Sequence, residues 1–131
     1  MNNAYKKYKQ NSVTSASREK LLLMLYEGAI RFTKKAVTAC EKKDIAARGE
    51  NIGRAYDIIM ELNNTLNHKA APELAANLES LYMFITDQYT KANISGDVAP
   101  LNEVLKVLNI LYQGWDEAIK KIKEDQNGKT A

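Results

Sequence analysis

Residues 17–43 read SREKLLLMLYEGAIRFTKKAVTACEKK, and the spacing of their apolar side chains decides the fold. Leu22, Leu25, Ala29, Phe32, Ala36 and Cys40 recur at steps of three and four, the period of one helix face. Leu23, Ile30 and Val37 make a second stripe beside them. At about 100° per residue the two stripes span roughly half the circumference. A helix with that much apolar surface must touch neighbours on more than one side. Ser17 reads as its N-cap, with Glu19 in the first turn where the helix dipole favours an anion. Leu21 to Tyr26 are consecutive apolar residues that point in every direction around the axis, so something must cover their outward side.

Three further helices follow. Asp44 reads as the N-cap of a second, to about Asn67, with the stripe Ile52, Tyr56, Ile59, Leu62 and Leu66. Gly49 and Gly53 each lower its propensity by up to about 1 kcal/mol against alanine, and close packing is one reason to tolerate them. Pro72 suits the first turn of a third helix, with Leu74, Leu78, Leu81, Ile85, Tyr89 and Ala92 as its stripe and Gly96 as its stop. Pro100 opens a fourth, which carries Leu101, Val104, Leu105, Leu108, Leu111, Trp115, Ile119 and Ile122. Each helix would have roughly 20 to 25 residues, and the short connections make sequential helices antiparallel neighbours. The expected fold is all-α: an antiparallel up-down four-helix bundle at 17–124, an N-terminal arm at 1–16 packing on it, and a flexible tail at 125–131.

The composition bounds the chemistry. The chain has 131 residues, one cysteine, one histidine and a formal net charge of +3, enough for one core but not for a Cys-rich zinc site or an internal disulfide. A di-metal carboxylate bundle needs Glu-x-x-His pairs, and there is none. No Gly-rich phosphate loop occurs, so neither metal, cofactor nor enzyme activity is expected. The opening MNNAYKKYKQ lacks the apolar run of a secretion signal, and no stretch is long enough to span a bilayer. Its lysines with Tyr5 and Tyr8 could meet nucleic acid, but a solvated terminus is the commoner reading and no nucleic-acid motif supports the sharper one. One alternative is a histidine phosphotransfer module using His68. Pro72, four residues on, puts His68 at or past a helix end, where a solvated histidine is the plain reading.

What stands out is apolar surface. Ile58, Met60, Met83, Phe84 and Ile110 fall off the core stripes. Scattered apolar residues are normal on a surface. Alternatively they line a groove for the apolar helices of a partner, where methionine is an adaptable contact.

The sequence also carries a family pattern. Ala4-Tyr5-Lys6-Lys7-Tyr8, then Asn11-Ser12-Val13-Thr14-Ser15-Ala16-Ser17, then Glu19-Lys20-Leu21 and Met24-Leu25-Tyr26-Glu27-Gly28-Ala29 resemble the FliS family of flagellar export chaperones. The resemblance continues through Glu50-Asn51-Ile52, Glu61-Leu62, Asn77-Leu78, Leu81-Tyr82, Ala92-Asn93, Glu103-Val104 and Trp115. Arg18 departs from it, standing where many members have proline. The resemblance implies a bacterial cytosolic protein that binds the disordered C-terminal segment of flagellin, prevents premature polymerisation and presents its client to the flagellar export gate. It further implies that the arm, through Tyr5, Tyr8 and Val13, covers part of the client groove in the free protein.

Overall fold

The computed structural model describes residues 15–130, with side chains described for 17–128. It contains four helices: α1 (Ser15–Glu41), α2 (Ile45–Asn64), α3 (Pro72–Ser95) and α4 (Ala99–Thr130). Packed pairs are α1 with α2, α2 with α3, α3 with α4, and α4 with α1, so the helices form a ring of sequential neighbours. Two hydrogen bonds cross the diagonal of this ring. Tyr26 Oη lies 2.5 Å from Tyr82 Oη, and Thr33 Oγ1 lies 2.7 Å from Tyr89 Oη. Both pairs advance by seven residues on α1 and on α3, so the diagonal helices run parallel and sequential ones antiparallel. This is the expected up-down four-helix bundle.

Local chemistry sets the boundaries. Asp44 caps α2 as expected, its Oδ1 accepting the Ala47 N–H at 3.1 Å. The helix stops at Asn64, short of the expected Asn67, because side chains take over the backbone groups. The Thr65 hydroxyl donates to the Leu62 carbonyl, and Asn67 Oδ1 accepts the N–H groups of Lys69 and Ala70, folding a turn. Pro72 is the first residue of α3. Gly96 ends α3 in the left-handed region at φ 77°, its N–H returning to the Ala92 carbonyl.

Both outer helices exceed the expected lengths. The first begins at Ser15, so Ser17 lies inside its first turn and is not the N-cap. At the other end α4 has 32 residues and continues through Thr130, past the expected boundary at 124. The sequence after Ile119 has no proline, and Lys120 pairs with Asp116 one turn back. Residues 120–128 are all exposed.

The core is built from Tyr26, Ala29, Ala55, Ile59, Leu62, Ile85, Tyr89, Leu101, Val104 and Leu108, each 0 % exposed. The stripes were mostly right, with informative exceptions. Tyr56, Leu74 and Ile122 are exposed, whereas Tyr26, Thr33 and Tyr82, which lay off the stripes, are buried. Their hydroxyls explain why: each finds a partner inside the bundle, which removes the penalty for burying a polar group. Packing around the helix glycines also differs from expectation. A Cβ on Gly49 or Gly53 would meet no crowding, while one on Gly28 would come within 3.2 Å of Ile58 Cδ1. The close approach of α1 and α2 is therefore at Gly28.

Candidate functional site

The helix ring has four seams, and the cross-helix contacts fix which flank of each helix faces which neighbour. A Cβ placed on Gly49 of α2 would lie 3.8 Å from Asn93 Oδ1 on α3. Just beyond α2, His68 lies 3.5 Å from Glu79 of α3. These contacts turn the Asn93–Glu79 flank of α3 toward α2. At 100° per residue, Met83 shares that flank, and Tyr56 and Met60 share the facing flank of α2. Tyr56 and Met83 are exposed and Met60 is half-buried. Together they make an open apolar groove along the α2/α3 seam.

The opposite flank of α3 carries Leu81 and Phe84 toward α4. On α4, Tyr112 reaches α1, donating its hydroxyl to Glu27 Oε1 at 2.8 Å. The other flank of α4, with Val107 and Leu111, therefore turns toward α3, while Ile110, about 160° around the helix from the buried Leu108, points away from the bundle. Phe84 is 39 % exposed, and Leu81, Val107 and Leu111 are half-buried. They form a second open groove along the α3/α4 seam. Both grooves flank α3, which is the most apolar of the four helices and the least one-sided.

The off-stripe residues thus do not form one patch. Met60 and Met83 line one groove and Phe84 the other, whereas Ile110, 70 % exposed, points outward from α4 and lines neither. Ile58 belongs to neither: it is half-buried in the α1/α2 seam against Gly28 and packs on the core. Tyr5, Tyr8 and Val13, the arm residues expected to cover part of the client groove, lie outside the described residues. Within that run Met24 is 48 % exposed, whereas Leu25 and Tyr26 are buried. Sequence periodicity missed Leu81, Val107 and Leu111 as groove residues because they lie on the margin of the core stripe, where one face serves both interior and groove.

A hydrogen-bonded network holds the walls of these grooves. Trp115 Nε1 on α4 donates to Tyr26 Oη at 3.2 Å, and Tyr26 in turn meets Tyr82, linking three helices. Thr33 Oγ1 donates to the Ala29 carbonyl at 2.7 Å, so the Tyr89 hydroxyl donates to Thr33. Burial raises Tyr26, Tyr82 and Tyr89 above the ordinary phenol range, and for Tyr26 the hydrogen bonds from its partners oppose that shift. Tyr112 is raised chiefly by its hydrogen bond to Glu27. Cys40 is buried, and desolvation raises its thiol.

His68 stands in the loop between α2 and α3, half-exposed beside Glu79. Among the described residues no group of three or more His, Cys, Asp or Glu could hold a metal ion. No described helix is long and apolar enough to cross a membrane.

A sequence profile of the family described as "Flagellar protein FliS" matches residues 1–122. The chain belongs to the FliS family. Among its FliS relatives, the flagellar secretion chaperone FliS of Bacillus subtilis (strain 168) is 36 % identical over 126 residues, covering 96 % of this chain and 93 % of that one. The flagellar secretion chaperone FliS of Vibrio cholerae serotype O1 is 34 % identical, over 87 % of this chain and 85 % of its own. A bacterial flagellar chaperone of known crystal structure superposes with a TM-score of 0.76, at 23 % identity, over 90 % of this chain and 96 % of its own. That likeness establishes the FliS chain as an all-α helical bundle. These FliS relatives are named as chaperones, a non-enzymatic role, and none of these matches supports a histidine phosphotransfer role for His68.

Proposed function

We propose that this FliS-family chain is a cytosolic export chaperone that binds the disordered C-terminal segment of flagellin, blocks its premature polymerisation and presents it to the flagellar export gate. The observation that carries this reading is the double-sided apolar character of α3, which leaves one open groove on each of its flanks. A disordered client loses conformational entropy on binding, roughly 2 to 5 kcal/mol or more, and needs a large apolar surface to offset it. Two parallel grooves around one helix suit a chain that wraps, becoming helical where it lies in them. Arrays of Met and Phe suit successive amphipathic turns of a client better than one rigid epitope. In the free protein, Tyr5 and Tyr8 of the arm shield part of this surface.

The test is calorimetric titration of the full chain with the C-terminal segment of the flagellin from the same organism, at two temperatures and two salt concentrations. Saturable binding with a negative heat-capacity change and weak salt dependence is expected, the signature of apolar burial. Deleting residues 1–10 should alter that affinity or promote self-association. A monomeric flagellin segment that fails to bind overturns the client assignment, and an arm deletion that changes neither property overturns the shielding role.

A further inference from the structure

The outward face of α4 carries features that the bundle itself does not use. Ile110 is 70 % exposed and turns away from the core. At about 100° per residue, Glu103, Lys106, Gly114, Glu117 and Lys121 lie within about 40° of it, so the six make one strip along the helix. All six are exposed. Glycine inside a helix costs stability against alanine, yet a Cβ on Gly114 would meet nothing within 4 Å, so packing within the bundle does not call for it. Gly114 is an open notch one turn beyond the exposed knob of Ile110. Along the helix the strip runs Glu103, Lys106, Ile110, Gly114, Glu117, Lys121: acid, base, knob, notch, acid, base. Turned end for end it runs base, acid, notch, knob, base, acid. Each position then meets its opposite.

We propose that this strip is a contact between two copies of the chain, packed antiparallel through their α4 helices about a two-fold axis level with residue 112. Ile110 of each copy then seats in the Gly114 notch of the other, Glu103 faces Lys121 and Lys106 faces Glu117. The mismatch in register is at most one residue, about 1.5 Å. A two-fold contact has to be self-complementary, and a strip that matches its own reverse points to a second copy over an unrelated protein. The same residues oppose a parallel pairing, which would set each charge against its like. Within one chain Lys106 Nζ lies 3.4 Å from Glu103 Oε1, an exposed pair that contributes little and leaves both side chains able to reach across. One helix face covers less than the about 1,200 Å² of a stable complex, so the pair should form at roughly 0.1–1 mM protein. The strip contains none of the groove residues, and the proposal does not rest on flagellin being the client.

The test is sedimentation equilibrium of the full chain from about 0.01 to 1 mM. A reversible monomer–dimer equilibrium is expected, weakening between about 0.05 and 0.3 M NaCl as charges are screened. Ile110→Ser, and Gly114→Leu, which fills the notch, should each weaken it about tenfold. Both positions are open in the single chain, so thermal melts should change little. Lys121→Glu sets acid against acid and should weaken the dimer in the same way. Adding Glu103→Lys to it should restore the dimer, because both partners of the pair are then reversed. Lys91→Glu, exposed on α3, should leave the equilibrium within about twofold. The proposal is overturned by a chain that stays monomeric at about 1 mM, or by a double variant that dimerises no better than Lys121→Glu alone. It is also overturned by self-association that Phe84→Glu removes and Ile110→Ser does not, which would put the contact in the α3/α4 groove.

Discussion

Two buried hydroxyl pairs carry much of the specificity of this core at the residue scale. Tyr26 serves two partners, Trp115 and Tyr82, so Tyr26→Phe strands both. It should destabilise the fold by about 1–3 kcal/mol. Tyr89→Phe should cost less, about 0.5–1.5 kcal/mol, because Thr33 keeps its bond to the Ala29 carbonyl. Urea melts followed by the emission of Trp115, the chain's one tryptophan, would rank the two; equal losses would contradict the network. The same phenols set a pH response. Their folded pKa values are raised above 10, so above about pH 10 the unfolded chain loses protons that the folded one keeps. Stability is thus full below pH 10 and falls as pH rises further. Thermal midpoints should drop with alkaline pH, and less steeply in Tyr82→Phe and Tyr89→Phe than in the parent. These residues were the hardest to read in advance. Periodicity scores a tyrosine as amphipathic, and a buried hydroxyl becomes affordable only when a partner on a non-adjacent helix, here 56 positions away, completes it.

Among the elements, the clearest signals were the local ones. Asp44, Pro72, Gly96 and Pro100 each marked a boundary through chemistry that acts within one turn, and each lies at or beside a helix end. Boundaries that depend on side-chain capture were less visible, as with Thr65 and Asn67 at the end of α2. The most consequential end is that of α3. Gly96 has positive φ, and a Cβ there would lie 2.6 Å from Nη1 of Arg48, whose Nη2 holds the Asn93 carbonyl in the last turn of α3. Gly96→Ala should therefore cost about 1–2 kcal/mol from the backbone alone, plus a further loss if Arg48 is displaced. Asp44→Ala removes a cap and should cost about 1 kcal/mol. Both can be read from thermal melts, with Gly96→Ala expected to be the larger. The split of the off-stripe residues between two seams was legible only in part. The sequence shows that Met83 and Phe84 leave the core, but their opposite directions emerge only once neighbours are assigned to each flank of α3.

For the whole molecule, the two grooves should be separable by substitution. Met83→Glu addresses the α2/α3 groove and Phe84→Glu the α3/α4 groove; both side chains are exposed, so the melting temperature should change little. If the client spans both grooves, each variant should weaken flagellin binding by about 1 kcal/mol or more, and the pair should add. A variant that changes nothing would remove its groove from the client surface. The diagonal pairs place a further constraint on how such binding proceeds. Tyr26 with Tyr82 and Thr33 with Tyr89 are rungs one heptad, roughly 10 Å, apart, and their chemistry differs. Sliding α3 by seven residues one way would set Tyr26 against Tyr89 but Thr33 against Gly96, and the other way Thr33 against Tyr82 but Tyr26 against Ala75, so either shift breaks a rung. The bundle therefore has no ratcheted alternative of similar energy. It behaves as a mandrel of fixed gauge, and the change of shape on winding belongs to the thread.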